Sequence, residues 1–195
     1  MNQLTKIAKN LAFRLHNGQI YDHNRQIPYG FHINQVVDLV SEYGFIAEMI
    51  AALHDVIEDT DVTEHHLESL LITAMYDNKE LVIPAQYIKP IAQKVSHSVY
   101  LLSDEEGGNR KERKRKTNHK LSMVTDEFLI VLIVKIADRI ANMRYSYETD
   151  NKSKMKMYFK EFESFKKAVY RRNLPIDIVY QLNKVYEDIR IKLNK

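Results

Sequence analysis

The stretch FLIVLIVKIADRIAN, residues 128–142, governs the reading of this chain. Residues Asp126 to Tyr147 read as one long helix, apolar nearly all round from Phe128 to Val134, which makes it a central element. Asp138 lies inside it. A carboxylate in so apolar a helix is costly to bury unless it is ion-paired or holds a metal. Lys135 and Arg139 are the neighbours that could pair with it, and an ordinary exposed helix position would also suit it.

Working outward, apolar residues recur at helical spacing along the chain. Leu4, Ile7, Ala8, Leu11, Ala12 and Leu15 form a stripe that ends near Asn17-Gly18. Val36, Val37 and Val40 form a second, closed by Gly44, and Ala47, Ile50 and Ala51 continue into His54. Asp61-Val62-Thr63 is a break with Thr63 as an N-cap, followed by Leu67, Leu70, Leu71 and Ala74. Tyr76 to Gln86 is the least periodic stretch and reads as a loop with a strand-like Leu81-Val82-Ile83 piece. Ile88 to Leu102 is helical again, and Asp104 to Asn109, with Gly107-Gly108, is a surface loop. Two further stripes run from Met155 to Val169 and from Leu174-Pro175 to Ile189. Five glycines and four prolines are too few for an all-β fold. The expectation is a single all-α domain over residues 1–195, its core at about 4–150, with helices 151–195 packing on that core.

Composition narrows the function. The net charge is only +3, too small for wholesale nucleic-acid binding. Cysteine is absent, which excludes disulfides, zinc–thiolate sites and cysteine nucleophiles. No apolar run approaches a membrane span and the N-terminus lacks a signal peptide's apolar core, so the cytoplasm is expected.

The chemistry concentrates at HDVIED, residues 54–59. An adjacent His54 and Asp55 at the end of the apolar Ile50–Leu53 segment suit two ligands of one metal ion. Glu58 and Asp59 follow four residues later, so on a helix all four side chains project from neighbouring faces. Carboxylates this close repel unless a cation or shared protons offset their charge. A further histidine should come from upstream. His32, opening the Val36/Val40 helix, is the preferred candidate, with His16 and His23 as rivals, whereas His65 and His66 read as solvated.

Taken in order, Tyr29 and His32, then HDVIEDTD (54–61), then KIADRIANMR (135–144) resemble the HD superfamily of metal-dependent phosphohydrolases. More narrowly they resemble the hydrolase domain of RelA/SpoT-type enzymes and the stand-alone small alarmone hydrolases, over about Leu4 to Arg144. The resemblance implies removal of the 3′-pyrophosphate from (p)ppGpp, usually with manganese (Mn2+). It makes His32, His54, Asp55 and Asp138 the metal ligands, and Glu58 and Asp59 the pair that handles the attacking water. Two imidazoles and two carboxylates suit a six-coordinate first-row ion. The resemblance also points to Asn142 and Tyr145, four and seven residues after Asp138, as nucleotide contacts.

Two regions bear on the substrate. Relatives carry basic residues after a Gly-Gln pair near the N-terminus; here Gly18-Gln19 is followed by Ile20-Tyr21-Asp22, so Tyr21 would stack on the base instead. An HD phosphohydrolase acting on another nucleotide (a nucleotidase, a nucleotide-cofactor phosphatase or a cyclic-nucleotide phosphodiesterase) is therefore the alternative. The basic run Arg110 to Lys116, with Lys120 beyond, has three readings. It is a solvated helix face, a nucleic-acid patch lacking the aromatic interleaving such patches use, or an electropositive rim for a polyanionic nucleotide, with Arg113 and Lys114 as contacts.

Overall fold

The computed structural model describes residues 2–194 and divides into two helical units, meeting in sequence at Ser103 and Asp104. In the first unit the order is α1 (Gln3–Leu15), a hairpin of β1 (Ile20–Asp22) and β2 (Ile27–Pro28), α2 (Gly30–Leu39), a 3-10 turn (Ser41–Tyr43), α3 (Phe45–Leu53), the one-turn α4 (Val56–Asp59), α5 (Glu64–Asp77), a second 3-10 turn (Ala85–Tyr87) and α6 (Ile88–Leu102). The second unit holds α7 (Arg110–Ser122), a 3-10 turn (Asp126–Phe128), α8 (Leu129–Glu148), α9 (Lys152–Val169) and α10 (Ile176–Leu193).

Within the first unit α3 is the hub. Ala47 and Met49 through Leu53 are all buried, and α1, α2 and α6 pack around this helix. The α1 stripe of Leu4, Ile7, Ala8, Leu11 and Ala12 faces it. Each Leu or Ile removed from water there contributes about 1.5–3 kcal/mol. Gly44 sits at φ +88°, a left-handed conformation that turns the chain sharply into α3 and that a side chain would strain. Thr63 caps α5 as its sequence position suggests, its hydroxyl accepting from the His66 N–H at 3.3 Å.

Within the second unit α8 packs against α9 and α10, and α7 packs against α9. Every residue from Val131 to Ala137 is buried, so the apolar run that singled this helix out lies in the interior from Val131 on, with Phe128, Leu129 and Ile130 part-buried. Arg171 ties the end of α7 to the region after α9, donating to the carbonyls of Leu121 and Ser122 at 3.0 and 2.9 Å.

The all-α class holds, with one addition. Among the described residues the strands are β1 and β2, an antiparallel pair that no hydropathy alternation announced. The Leu81-Val82-Ile83 piece is not a strand: it lies in a loop with Val82 93% exposed, and the Leu81 N–H donates to the Asn78 carbonyl in a turn at 3.1 Å. The α5 helix also runs past Tyr76 to Asp77, slightly into the expected loop. No helix among the described residues is long and apolar enough to cross a membrane.

Candidate active site

The α3–α4 junction presents His54 and Asp55 as consecutive residues, one ending α3 and the other starting α4. The buried Ile50–Leu53 run anchors the junction, so neither side chain needs a loop to position it. His54 Nδ1 lies 2.7 Å from the Ala51 carbonyl, which accepts its proton and leaves Nε2 to bear the lone pair. That Nε2 is 2.8 Å from Asp55 Oδ2 and 3.2 Å from His32 Nε2, and the His32–Asp55 separation is 3.7 Å. Cis ligands of a six-coordinate ion bonded at roughly 2.1 Å stand about 3 Å apart. The spacing of these three atoms, and a histidine held in the metal-binding tautomer by a backbone carbonyl, fit a divalent ion.

His32 is 1% exposed in the first turn of α2. Tyr21, on β1, lies flat against its ring, with centroids 4.8 Å apart and planes 2° from parallel. The ring surface expected to meet a nucleobase thus has the His32 imidazole on one face. The rival His16 is buried behind Tyr29 and away from the His32–His54 pair: its ring stacks on Tyr29 at 4.5 Å and its Nδ1 lies 2.7 Å from Gln19 Oε1. His23, like His65 and His66, is exposed.

Glu58 and Asp59 lie on the exposed side of α4. The Asp59 carboxyl end is turned toward Tyr29, whose hydroxyl lies 2.8 Å from Asp59 Oδ2 and 2.5 Å from Asp55 Oδ2. One phenolic proton serves one carboxylate at a time. Burial, then the charges of Asp55 and Asp59, push the Tyr29 hydroxyl well above its ordinary pKa, so it stays a donor. Burial and the Asp55 charge also raise the Asp59 carboxyl above the usual aspartate value, against lowering by the Tyr29 hydrogen bond. A raised carboxylate is a stronger proton acceptor near neutral pH.

In the second unit Asp138 is part-buried on α8. Asn142, one turn on, donates to Asp138 Oδ1 at 2.5 Å and to its carbonyl at 3.2 Å. Lys135, only 7% exposed, brings its ammonium to 3.9 Å from Asp138 Oδ2. Arg139, the other pairing partner offered by the sequence, instead binds Glu161 at 3.1 Å and lies over the Phe165 ring at 4.4 Å. Tyr145 is buried farther along α8.

The basic run is α7, and much of its charge is spoken for inside the unit. Lys114 pairs with Asp104 at 2.5 Å, Lys120 with Glu105 at 2.7 Å, and Arg110 with Glu161 through two contacts of 2.7 and 3.2 Å. Lys111, Arg113 and Arg115 are exposed. Burial raises Asp104, but Lys135 and Lys114 outweigh it and the carboxyl ends below its usual range. Sequence reasoning gave no role to Gln19, Tyr29, Asp104 or Glu161; only Gln19, in the Gly-Gln pair, and Tyr29 stood inside motifs that could have flagged them.

No protein-family model matches the chain. Over 140 residues it is 32% identical to a chloroplastic protein of rice, Oryza sativa subsp. japonica, named as a GTP diphosphokinase, RSH1. That match takes in 70% of this chain but 14% of the rice protein, so the chain spans only a small part of that relative. A metazoan ortholog of SpoT, described as hydrolysing ppGpp and playing a role in starvation responses, superposes with a TM-score of 0.73 at 19% identity. The superposition covers 99% of this chain and 98% of the other. The fold is the helical one of that SpoT-type hydrolase, in agreement with the resemblance carried by HDVIEDT and KIADRIANMR.

Proposed function

We propose that this protein is a metal-dependent hydrolase that removes the 3′-pyrophosphate from (p)ppGpp. The observation that carries the reading is the α3–α4 junction: His54 Nε2, His32 Nε2 and Asp55 Oδ2 stand 2.8 to 3.7 Å apart, with the Asp59 carboxyl one turn away on the Tyr29 hydroxyl. Similarity to RelA/SpoT-type proteins in sequence and fold supports it.

In this reading His32, His54 and Asp55 hold one divalent ion, and Asp138 is the fourth protein ligand by resemblance. The ion, proposed as Mn2+, when bound would acidify a water and offset charge on the phosphate. Asp59 accepts the proton of the attacking water, Glu58 beside it being the alternate acceptor. The water oxygen bonds to the phosphorus next to the 3′ oxygen, the bond from that oxygen to phosphorus breaks, and the 3′ oxygen leaves as a hydroxyl on taking up a proton while pyrophosphate is released. Asn142 holds the Asp138 carboxylate in place from the next turn. Asn142, Tyr145 and Tyr21 are proposed to touch the nucleotide, with Arg113 and Lys114 drawing in its phosphates. The two units serve as one hydrolase domain, working in the cytoplasm.

The test is a nucleotide panel with Mn2+. Release of pyrophosphate and GDP from ppGpp in preference to other substrates supports the proposal. Preference for a monophosphate ester or a cyclic nucleotide overturns the substrate. Loss of bound Mn2+ in H54A, D55A and D138A tests the ligand set; unchanged metal content in any of them removes that residue from it.

A further inference from the structure

Tyr29 reaches two acidic groups to which the proposed function gives separate tasks. Its hydroxyl is 2.5 Å from Oδ2 of Asp55 and 2.8 Å from Oδ2 of Asp59. These carboxylates sit at the start and end of α4, a single turn of four residues. So short a helix has no stability of its own and takes its position from tertiary contacts. A second tether acts on the same residue through its backbone: Gln19 donates from Nε2 to the Asp59 carbonyl at 2.9 Å. The two tethers share a base. His16, the last buried ring after α1, stacks under Tyr29 at 4.5 Å with planes 12° apart and meets Gln19 Oε1 at 2.7 Å.

From this bracing we infer that Tyr29 is a positioning residue, seated on the His16–Gln19 base, which sets the Asp59 carboxylate in register with the metal ligand Asp55. The inference rests on the reading of Asp55 and Asp59 just proposed, but the bracing can be tested apart from any substrate. The hydroxyl separates two carboxylates that share a helical face, and it gives Asp59 one orientation out of the several its rotamers allow. Gln19 fixes where the Asp59 backbone lies, and Tyr29 fixes where its oxygen points. The β1–β2 hairpin, between Gln19 and Tyr29 in the chain, closes this brace: the Tyr29 N–H donates to the Gln19 carbonyl at 3.1 Å.

The substitution Y29F removes only the hydroxyl and keeps the ring that stacks on His16. In the metal-free protein, amide hydrogen exchange over residues 56–60 should speed up about tenfold, the scale of one lost charge-assisted hydrogen bond. Exchange in α1 and α3 should not change. With Mn2+ and the nucleotide the wild-type protein turns over best, kcat should fall roughly 10- to 100-fold while KM and Mn2+ affinity stay within about threefold. In the D59N background Y29F should add little, because it acts through the group already removed. Unchanged exchange at α4, a kcat loss that multiplies fully with D59N, or a loss that appears only in KM overturns the inference. If ppGpp is not hydrolysed while the exchange result holds, the substrate assignment fails and the brace stands.

Discussion

Acidic side chains face burial in both units, and each unit handles it in the opposite way. At the α3–α4 junction Asp59 meets a phenol and the neighbouring Asp55, and its carboxyl is held above the usual value. In the second unit Glu161 and Asp104 are set among cations. Burial raises each of them, but Arg110 and Arg139 outweigh it at Glu161, and Lys135 and Lys114 at Asp104, so both end below their usual range. The first arrangement leaves negative charge to be met from outside the protein. The second satisfies it internally, and the resulting network braces α7 and α9 against α8. Which of the two a carboxylate belongs to separates chemistry from architecture here more sharply than its burial does.

Removing the outside partner's ligands should produce the largest effect. H54A and D55A should lose bound Mn2+ and nearly all hydrolysis, measured by metal analysis and pyrophosphate release, because the proposed function places both residues in the metal site that activates the water. D59N should reduce kcat by roughly 10²- to 10⁴-fold with metal retained, the range for loss of a general base. E161Q should leave kcat nearly intact but lower stability by about 1–3 kcal/mol in urea unfolding, since it weakens the partner of the buried Arg139. Activity lost in E161Q, or stability lost in D59N, would collapse the distinction between the two arrangements.

The same contrast predicts a response to acid. Glu161 and Asp104 have folded values below their unfolded ones, so their contribution is complete above the usual carboxylate range and is lost as pH falls through the folded values. The urea midpoint should therefore decline as pH is lowered from about 5 through 4 and below. E161Q should flatten part of that decline. The smallest effect belongs to R113A, on an exposed arginine. It should lower kcat/KM only a few-fold and weaken its dependence on salt, the signature of steering rather than contact.

The helices were legible because their apolar stripes are long and regular: the α1 stripe and the Phe128–Val134 run both lie where periodicity put them. The His54-Asp55 pair was legible because adjacency on the chain became adjacency in space across one helix junction. The hairpin was not. Its strands are three and two residues long, too short for alternation to register, and its turn depends on Asp22 accepting the Asn24 and Arg25 N–H groups and on Gln26 at φ +53°. Tyr29 stood in the motif without a role, because what it does depends on residues 26 and 30 positions away. The basic run was half legible. Its exposed face could be read from the run of charges, but the pairing of Lys114 and Lys120 with Asp104 and Glu105 requires the glycine-containing loop to fold back along α7.

Tyr21 lying flat on His32 bears on how fast the proposed metal site would load. With Tyr21 stacked on one face, the His32 imidazole is held near one orientation, so at the proposed site a cation would meet a ligand already aimed. The rotational freedom of that side chain was surrendered when the chain folded, and none remains to be lost at capture. A protein assembled this way should take up metal at low concentration without first rearranging, and Y21A should load more slowly even where its final occupancy is unchanged.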